Sequence, residues 1–200
     1  MNRTIIAAAL AAVALPLAAS PAEASSQLIN GSGQLTGATG VTVGAGTYNV
    51  QFVEGSCSAV FGGCDALSDF SFQNQTDAKA AAQALLDQVL TGAFDNDYTM
   101  TFGCSTNGSA ACDVLVPFGF DQLNVLAQAA KNVSGPADDT NTLVDADPVF
   151  FDTIFNDQFV WARFTPAAGA VPEPSSWLML LLGFAGIGVA MRRKRLPALA

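Results

Sequence analysis

The chain has 200 residues, of which 17 are acidic and eight basic, for a formal net charge of −9 at pH 7, and it contains no histidine. So acidic a chain repels the phosphate backbone of nucleic acids, which argues against a nucleic-acid-binding protein. The missing histidines exclude Ser-His-Asp triads, Cys-His nucleophiles and histidine-ligated metals. The length allows one domain with additional segments at its ends.

The N-terminal segment, residues 1–24, has the three parts of a secretory signal peptide. An arginine near its start gives the positive charge, and residues 5–17 form a short apolar stretch. Signal peptidase accepts small residues at the last and third-last positions before the cut, and Ala24 and Ala22 supply them. We therefore expect cleavage before Ser25; a retained N-terminal anchor is the alternative.

Removing residues 1–24 and 172–200 takes away two acidic and five basic residues. The 147 residues that remain carry 15 acidic and three basic side chains, a formal charge near −12. A segment of this length buries roughly two-thirds of the surface that its unfolded chain exposes, which is enough for a proper core. We predict an exported ectodomain over residues 25–164 and a linker over residues 165–171.

Alternating hydrophobicity predicts β-structure in the ectodomain. Two runs of period two, residues 41–43 and 48–52, flank the turn Gly44-Ala45-Gly46 and predict a β-hairpin. Further short strands are expected at residues 69–72, 98–102, 113–117, 122–130 and 159–164. Between residues 131 and 158 the chain is acidic and rich in turn residues.

Residues 76–91 predict one amphipathic helix. Apolar residues recur there at helical spacing without a gap, while Lys79 and Asp87 fall on the other face. Thr76 is the expected N-cap, and Gly92 is expected to end the helix. One helix with several antiparallel strands predicts an α+β fold, mainly antiparallel β and sandwich-like.

All four cysteines fall in the exported segment, where disulfides are the default. Three pairings are open. The local pairing, Cys57 with Cys64 and Cys104 with Cys112, is favoured because each pair closes a short loop rich in glycine, serine and alanine. A zinc site is the alternative, but the spacings are not the usual short ligand spacings and histidine is lacking.

The C-terminal segment begins with a rigid entry and continues as an apolar run. Pro172 and Pro174 keep the chain extended around Glu173, because proline fixes φ and disfavours helix just before it. Residues 177–191 are apolar and predict a transmembrane helix. At about 22 Å it is short against a ~30 Å hydrocarbon core.

The ends of this apolar run suit the two interfaces of a membrane. Trp177 fits one interface, and four consecutive cations fit the cytoplasmic side by the positive-inside rule. These cations, which form the predicted basic stop, are Arg192, Arg193, Lys194 and Arg195. The alternatives for the run are a buried core helix and a plain, permanent membrane anchor.

This tail, residues 172–195, resembles the PEP-CTERM sorting signal of Gram-negative bacteria. The resemblance is carried by Pro172-Glu173-Pro174, by Trp177 after two variable residues, by the glycine-studded apolar run and by the basic cluster. The common form of the signal has alanine after the tryptophan, and Leu178 stands there in this chain. The order of these parts, in a chain that also has a predicted signal peptide, makes the resemblance specific.

The resemblance implies a substrate of exosortase, a membrane-embedded cysteine protease regarded as a transpeptidase. Cleavage near Pro172–Pro174 would remove the helix and release the body or transfer it to the envelope or an extracellular polymer. The precursor would be anchored in the inner membrane and the product would reach the cell surface or the medium. Exosortase is thus the expected transient partner, and extracellular polysaccharide is a second candidate partner.

Acidic residues offer a weak candidate for a metal site. Asp95 with Asp97, and Asp145 with Asp147, alternate oxygen donors as calcium loops do, but neither pair continues as an EF-hand. A solvated acidic surface is the simpler interpretation. With 15 carboxylates present in the exported segment, some close pair is always available, so the composition does not indicate a glycosidase. We expect no cofactor.

The sequence therefore predicts an exported, exosortase-processed protein without enzymatic activity, serving as a structural or adhesive component of the envelope or biofilm. The alternatives are a carbohydrate- or calcium-binding surface module and a protein permanently anchored in the inner membrane.

Overall fold

The structure is a computed structural model that describes most of the predicted ectodomain. The described residues are 24–106, 110–121, 124–134, 139–148, 151–167 and 183–184. The strands in them are β1 (Ser26–Ile29), β2 (Leu35–Val43), β3 (Gly46–Val53), β4 (Ala111–Asp121), β5 (Asn124–Val133), β6 (Thr140–Pro148) and β7 (Phe159–Pro166). The helices are α1 (Cys57–Phe61), α2 (Gln75–Gln88) and α3 (Ala93–Asn96), and short 3₁₀ turns span Leu67–Asp69, Tyr98–Met100 and Thr153–Phe155.

The described strands form a single seven-stranded sheet in the order β1-β2-β3-β7-β4-β5-β6. The expectation of a sandwich of two sheets was wrong, although the β-rich α+β character is confirmed. The reason is the last strand. It inserts between β3 and β4, antiparallel to β3 and parallel to β4, and so joins an N-terminal three-stranded group to the β4-β5-β6 meander.

Helix α2 covers one face of this sheet. Four of its five buried side chains are alanines, which allows the helix to approach β2, β4 and β5 closely; the five are Ala78, Ala81, Ala82, Ala84 and Leu85. The apolar stripe predicted from the sequence is therefore confirmed as the face that packs on the sheet. Its burial contributes to a core that also contains Val41, Val50 and Phe164.

The ends of α2 differ from those predicted. Asn74, and not Thr76, is the N-cap: its side-chain oxygen accepts a 2.9 Å hydrogen bond from the backbone N–H of Asp77. The helix ends at Gln88, before Gly92, and the backbone N–H groups of Val89 and Leu90 both bond the carbonyl of Leu85. Asn is as good an N-cap as Thr or better, so the earlier start is locally favourable.

The other face of the sheet is covered by α1 and the first 3₁₀ turn. A second apolar cluster forms there around Trp161 and Leu115, with Phe70 and the partly buried Phe61 packed against them. The rings of Phe61 and Trp161 meet edge to face at 5.7 Å between centroids. The sheet is thus buried on both sides, which explains the near-continuous burial of β4.

Several strand predictions are confirmed and two are wrong. The hairpin β2–β3 and the runs assigned to β4, β5 and β7 are present. Residues 69–72 form no strand, and residues 98–102 begin as a 3₁₀ turn that Asp97 caps through the N–H of Thr99. The apolar side chains of this stretch pack on the core without forming a strand: Tyr98 is buried, and Met100 and Phe102 are partly buried against the core.

The acidic region between residues 131 and 158 contains an edge strand, β6, which the sequence pattern missed. An edge strand with a polar surface shows no clean hydrophobic alternation. Strand β7 also runs to Pro166, so Thr165 and Pro166, predicted to begin the linker, pair with β3 instead.

Candidate functional site

The predicted sorting residues lie outside the described residues: Pro172, Glu173, Pro174, Trp177, Arg192, Arg193, Lys194 and Arg195. Of the predicted transmembrane helix 177–191, Gly183 and Phe184 alone are described, and both are helical and exposed. No helix within the described residues is long and apolar enough to span a bilayer. What the structure shows about the sorting segment is therefore the point at which the chain leaves the folded domain.

That place is the end of β7, an interior strand of the sheet. Strand β7 pairs with β3 through to Pro166, and the N–H of Ala167 donates a 2.9 Å hydrogen bond to the carbonyl of Thr47. The hydroxyl of Ser71 also donates to the carbonyl of Phe164 at 2.6 Å. The chain is therefore held by backbone pairing up to the first residues of the segment that leads to the tail.

The chain enters the domain at the same end of the sheet. Ser26 pairs with Thr39 of β2, Val41 of β2 pairs with Tyr48 of β3, and Tyr48 pairs with Pro166 of β7. Three strand spacings of about 4.8 Å place the entry and the exit roughly 15 Å apart. We call this end, with Ser26 and Pro166, the tether end; the turn Thr153–Phe155 lies at the opposite end of β7.

At the tether end, the first described residues are bonded to the C-terminus of α2. The hydroxyl of Ser25 donates to the carbonyl of Gln88 at 2.7 Å. The Nε2 atom of Gln27 donates to the carbonyl of Val89 at 2.7 Å and contacts both oxygens of Thr91. These bonds satisfy carbonyls that a helix terminus leaves without partners.

The side chain of Gln88 completes this arrangement. It accepts a 2.9 Å hydrogen bond from the N–H of Thr42 and donates one of 2.8 Å to the carbonyl of Thr42, as a neighbouring strand would. An open cleft of about 540 Å³ lies here. Its lining is mostly hydroxyl and amide groups with a single carboxylate, and consists of Ala24, Ser25, Ser26, Gln27, Thr42, Asp87, Gln88 and Thr91.

The residues predicted to direct signal cleavage lie at the edge of the described chain. Ala22 is outside the described residues, Ala24 is exposed, and Ser25 is half-buried against α2. Cleavage before Ser25 stays a prediction. The sequence pattern contained no sign that the residue following the cut is part of the fold, because the contact to Gln88 spans 63 positions.

The four predicted disulfide cysteines pair locally. Cys57 is bonded to Cys64 and Cys104 to Cys112, each with Cα atoms 5.7 Å apart, and all four are buried. The favoured connectivity is confirmed and no cysteine is free. The first pair staples α1 beneath Trp161, and the second joins the segment after the Tyr98–Met100 turn to the start of β4.

The two pairs of calcium candidates lie in different parts of the fold. Asp97 is engaged as a cap, with its Oδ1 accepting from the N–H and hydroxyl of Thr99. Asp95 lies on α3, whose Phe94 carbonyl accepts from Asn132 near the end of β5. Asp145 pairs with Leu126, which lies six residues before Asn132 on β5. At about 3.3 Å per residue, Leu126 is roughly 20 Å from Asn132.

Asp147 lies on the same strand, β6, as Asp145. Among the described residues, no group of three or more acidic or cysteine side chains is placed to hold a metal ion.

Burial perturbs three carboxyl groups that the sequence did not single out. Desolvation raises the pKa of Asp113 on β4, while the nearby charge of Lys131 and a 3.2 Å hydrogen bond from Gln158 partly oppose this. Desolvation also raises the pKa of Glu54, reinforced by the charges of Asp157 and Asp152.

The third is Asp139, whose pKa is raised by desolvation and by the charge of Asp95, and lowered by its bond from the N–H of Val133. Each of these groups lies at the end of the sheet opposite the tether end, apart from the cleft.

Comparison with known families identifies the C-terminal segment. The PEP-CTERM protein-sorting motif matches residues 170–195, which include every predicted sorting residue. No curated protein and no solved structure matches the chain. The match supports an exported protein that exosortase processes, made as a membrane-anchored precursor and destined for the cell surface.

Proposed function

Because the chain carries a C-terminal PEP-CTERM protein-sorting motif, we propose that exosortase cuts it near Pro172–Pro174. The released body then serves as a non-enzymatic structural or adhesive component of the envelope or extracellular matrix. The observation that carries this proposal is the motif itself, which follows the folded domain and includes the cations Arg192–Arg195. The helix would hold the cleavage site at the outer membrane face, and the prolines would keep it extended for a protease.

The position of the two chain ends supports this proposal. Ser26 and Pro166 lie at one end of the sheet, so a precursor that retains its leader and its tail could be attached to a single membrane surface at the tether end. The rest of the domain would then point away from the membrane. Cutting either attachment leaves the sheet intact, because its strand pairing begins at Ser26 and ends at Pro166, inside both predicted cut sites.

The features of the body suit a protein that persists outside the cell. Two disulfides close loops on either side of the core. The formal charge near −12 favours solubility and disfavours adhesion to anionic lipid. These properties support a passive role.

Intact mass spectrometry of the protein recovered from cells with and without exosortase tests the processing step. We expect a product that begins at Ser25 and ends near Pro172–Pro174, formed only when exosortase is present. A product that retains Arg192–Arg195 in both strains would contradict processing and would indicate a permanent inner-membrane anchor.

Two neighbouring substitutions sharpen this test. Glu173→Ala changes the centre of the motif and should block the cut, whereas Ser175→Ala lies at a variable position and should leave it unchanged. Equal processing of both variants would mean that another part of the tail directs cleavage.

The adhesive role is tested separately on the processed protein. Co-sedimentation with extracellular polysaccharide from the same host should retain the folded protein and not the reduced, heat-unfolded protein. Release of both forms to the supernatant would contradict adhesion to polysaccharide and leave the processing step standing. A broad hydrolase screen with no turnover is the expected result for a non-enzyme.

A further inference from the structure

The C-terminus of α2 lacks the positive charge that a helix end normally attracts. Its last turn contains no basic residue, and Asp87 adds a negative charge there. The C-terminus of a helix carries roughly half a negative elementary charge, and cations near it are stabilising. This end of α2 is therefore electrostatically unfavourable within the described part of the fold.

Ser25 is bonded directly to this helix end. Its hydroxyl lies 2.7 Å from the carbonyl oxygen of Gln88, so the geometry of a serine residue places its backbone nitrogen within roughly 6 Å of that oxygen. The cleft of about 540 Å³ around it is open to solvent, and Asp87 is the charged side chain among its lining residues. In the uncleaved chain this nitrogen is a neutral amide.

We propose that signal cleavage before Ser25 creates a charged cap for α2: the new α-ammonium group lies in the cleft between β1 and α2 and is stabilised by the helix C-terminus and Asp87. Maturation would then strengthen the fold and not merely free it from the membrane. The inference rests on the cleavage position in the proposed function. It assigns to the mature N-terminus a stabilising charge that the unprocessed chain lacks.

The neighbouring contacts explain why the ammonium would stay in place. Gln27 is fixed to Val89 and Thr91, and Gln88 is fixed to Thr42, so the chain on both sides of the cleft is held. Ser25 can therefore not swing freely into solvent without breaking its bond to α2.

The test compares exported protein with a free and a blocked N-terminus. The full chain is produced with its leader in a Gram-negative host, and intact mass confirms that the purified protein begins at Ser25. One portion is acetylated near pH 6.5, where an α-amino group reacts ahead of lysine side chains because the ordinary pKa of an α-amino group is about 8 and that of a lysine side chain about 10.4. Urea unfolding of both portions is then followed at pH 6 and pH 10.

At pH 6 we expect the ratio of unfolded to folded protein to be about two- to fivefold higher for the acetylated form. The difference should vanish at pH 10. A cation stabilised by the fold has a raised pKa when folded, so its contribution is present below the unfolded value and is lost as pH rises through the folded value. Of the side chains lining the cleft from β1, β2 and α2, Asp87 alone is charged.

Three variants test whether the effect is confined to the C-terminus of α2. Asp87→Asn should shrink the difference at pH 6, whereas Asp77→Asn, at the opposite end of α2, should leave it unchanged. An alanine inserted between Ala24 and Ser25 moves the amine one residue outward and should also reduce the effect of acetylation.

Equal stability of the free and acetylated forms at pH 6 would overturn the inference and leave exosortase processing intact. A mature protein that begins elsewhere would overturn the inference together with the assigned cleavage position.

Discussion

The indole Nε1 of Trp161 donates a 3.0 Å hydrogen bond to the carbonyl oxygen of Gly55, joining residues 106 positions apart. Both groups are buried beside the Cys57–Cys64 disulfide. The same carbonyl accepts from the N–H and the hydroxyl of Thr153. Strand β7, which leads to the sorting segment, is thus fixed near its start to the loop that follows β3.

Replacing Trp161 by phenylalanine should destabilise the fold by about 1–3 kcal/mol, because the donor is lost and a void remains beside Phe61. The matched control is Arg163→Ala, two residues along the same strand with an exposed side chain, which should cost about 0.5 kcal/mol or less. Urea unfolding midpoints measure both. Similar losses for the two variants would show that the buried indole bond contributes nothing specific.

The two candidate N-caps of α2 can be separated by alanine substitution. Asn74→Ala should cost about 1 kcal/mol, because it removes the acceptor for the N–H of Asp77. Thr76→Ala should change stability little, since Thr76 is an exposed residue within the first turn. Thermal unfolding of the two variants distinguishes the caps, and a larger loss at position 76 would contradict a helix that starts at Gln75.

Acidification should reduce the cost of burying Asp113. Its pKa is raised in the folded state by burial, so the folded protein binds this proton more tightly than the unfolded chain does. The contribution of Asp113 to stability therefore falls as pH rises from the ordinary aspartate value through the raised folded value. In an Asp113→Asn variant the side chain would stay neutral and could still accept the bond from Gln158.

The measurement is the urea midpoint of wild type and Asp113→Asn between pH 4 and pH 7. We expect the substitution to flatten this part of the profile and to help most at pH 7. Asp121→Asn removes the same charge at an exposed position of the same strand and is the control. A profile for Asp113→Asn that parallels the wild type would contradict the assignment.

The disulfides should each stabilise the fold by about 2–3 kcal/mol, the chain-entropy value for closing loops whose ends are seven and eight residues apart. Paired serine substitutions, one variant for each disulfide, should lower the unfolding midpoint under oxidising conditions. Reductant should then change each variant less than the wild type. A variant whose midpoint equals that of the wild type would show that its disulfide is dispensable for stability.

Local pattern alone determined several parts of this protein. The β2–β3 hairpin follows from alternation around a glycine turn, the buried face of α2 from helical spacing, and the disulfide pairing from short loops that close on themselves. The sorting segment was predicted at residues 172–195 from the order of its parts, and the motif match over residues 170–195 confirms it. All of these depend on residues near one another in the chain, so their physics is visible in the sequence.

The tertiary structure decided what depends on distant residues. The insertion of β7 between β3 and β4 turned an expected sandwich into one sheet, because the pairing of strands that lie far apart in the chain leaves no periodic mark in the sequence. The same holds for Ser25 against Gln88, for Trp161 against Gly55 and for the burial of Asp113. Backbone pairing and desolvation act between groups that only the folded chain brings together, and so only the fold reveals them.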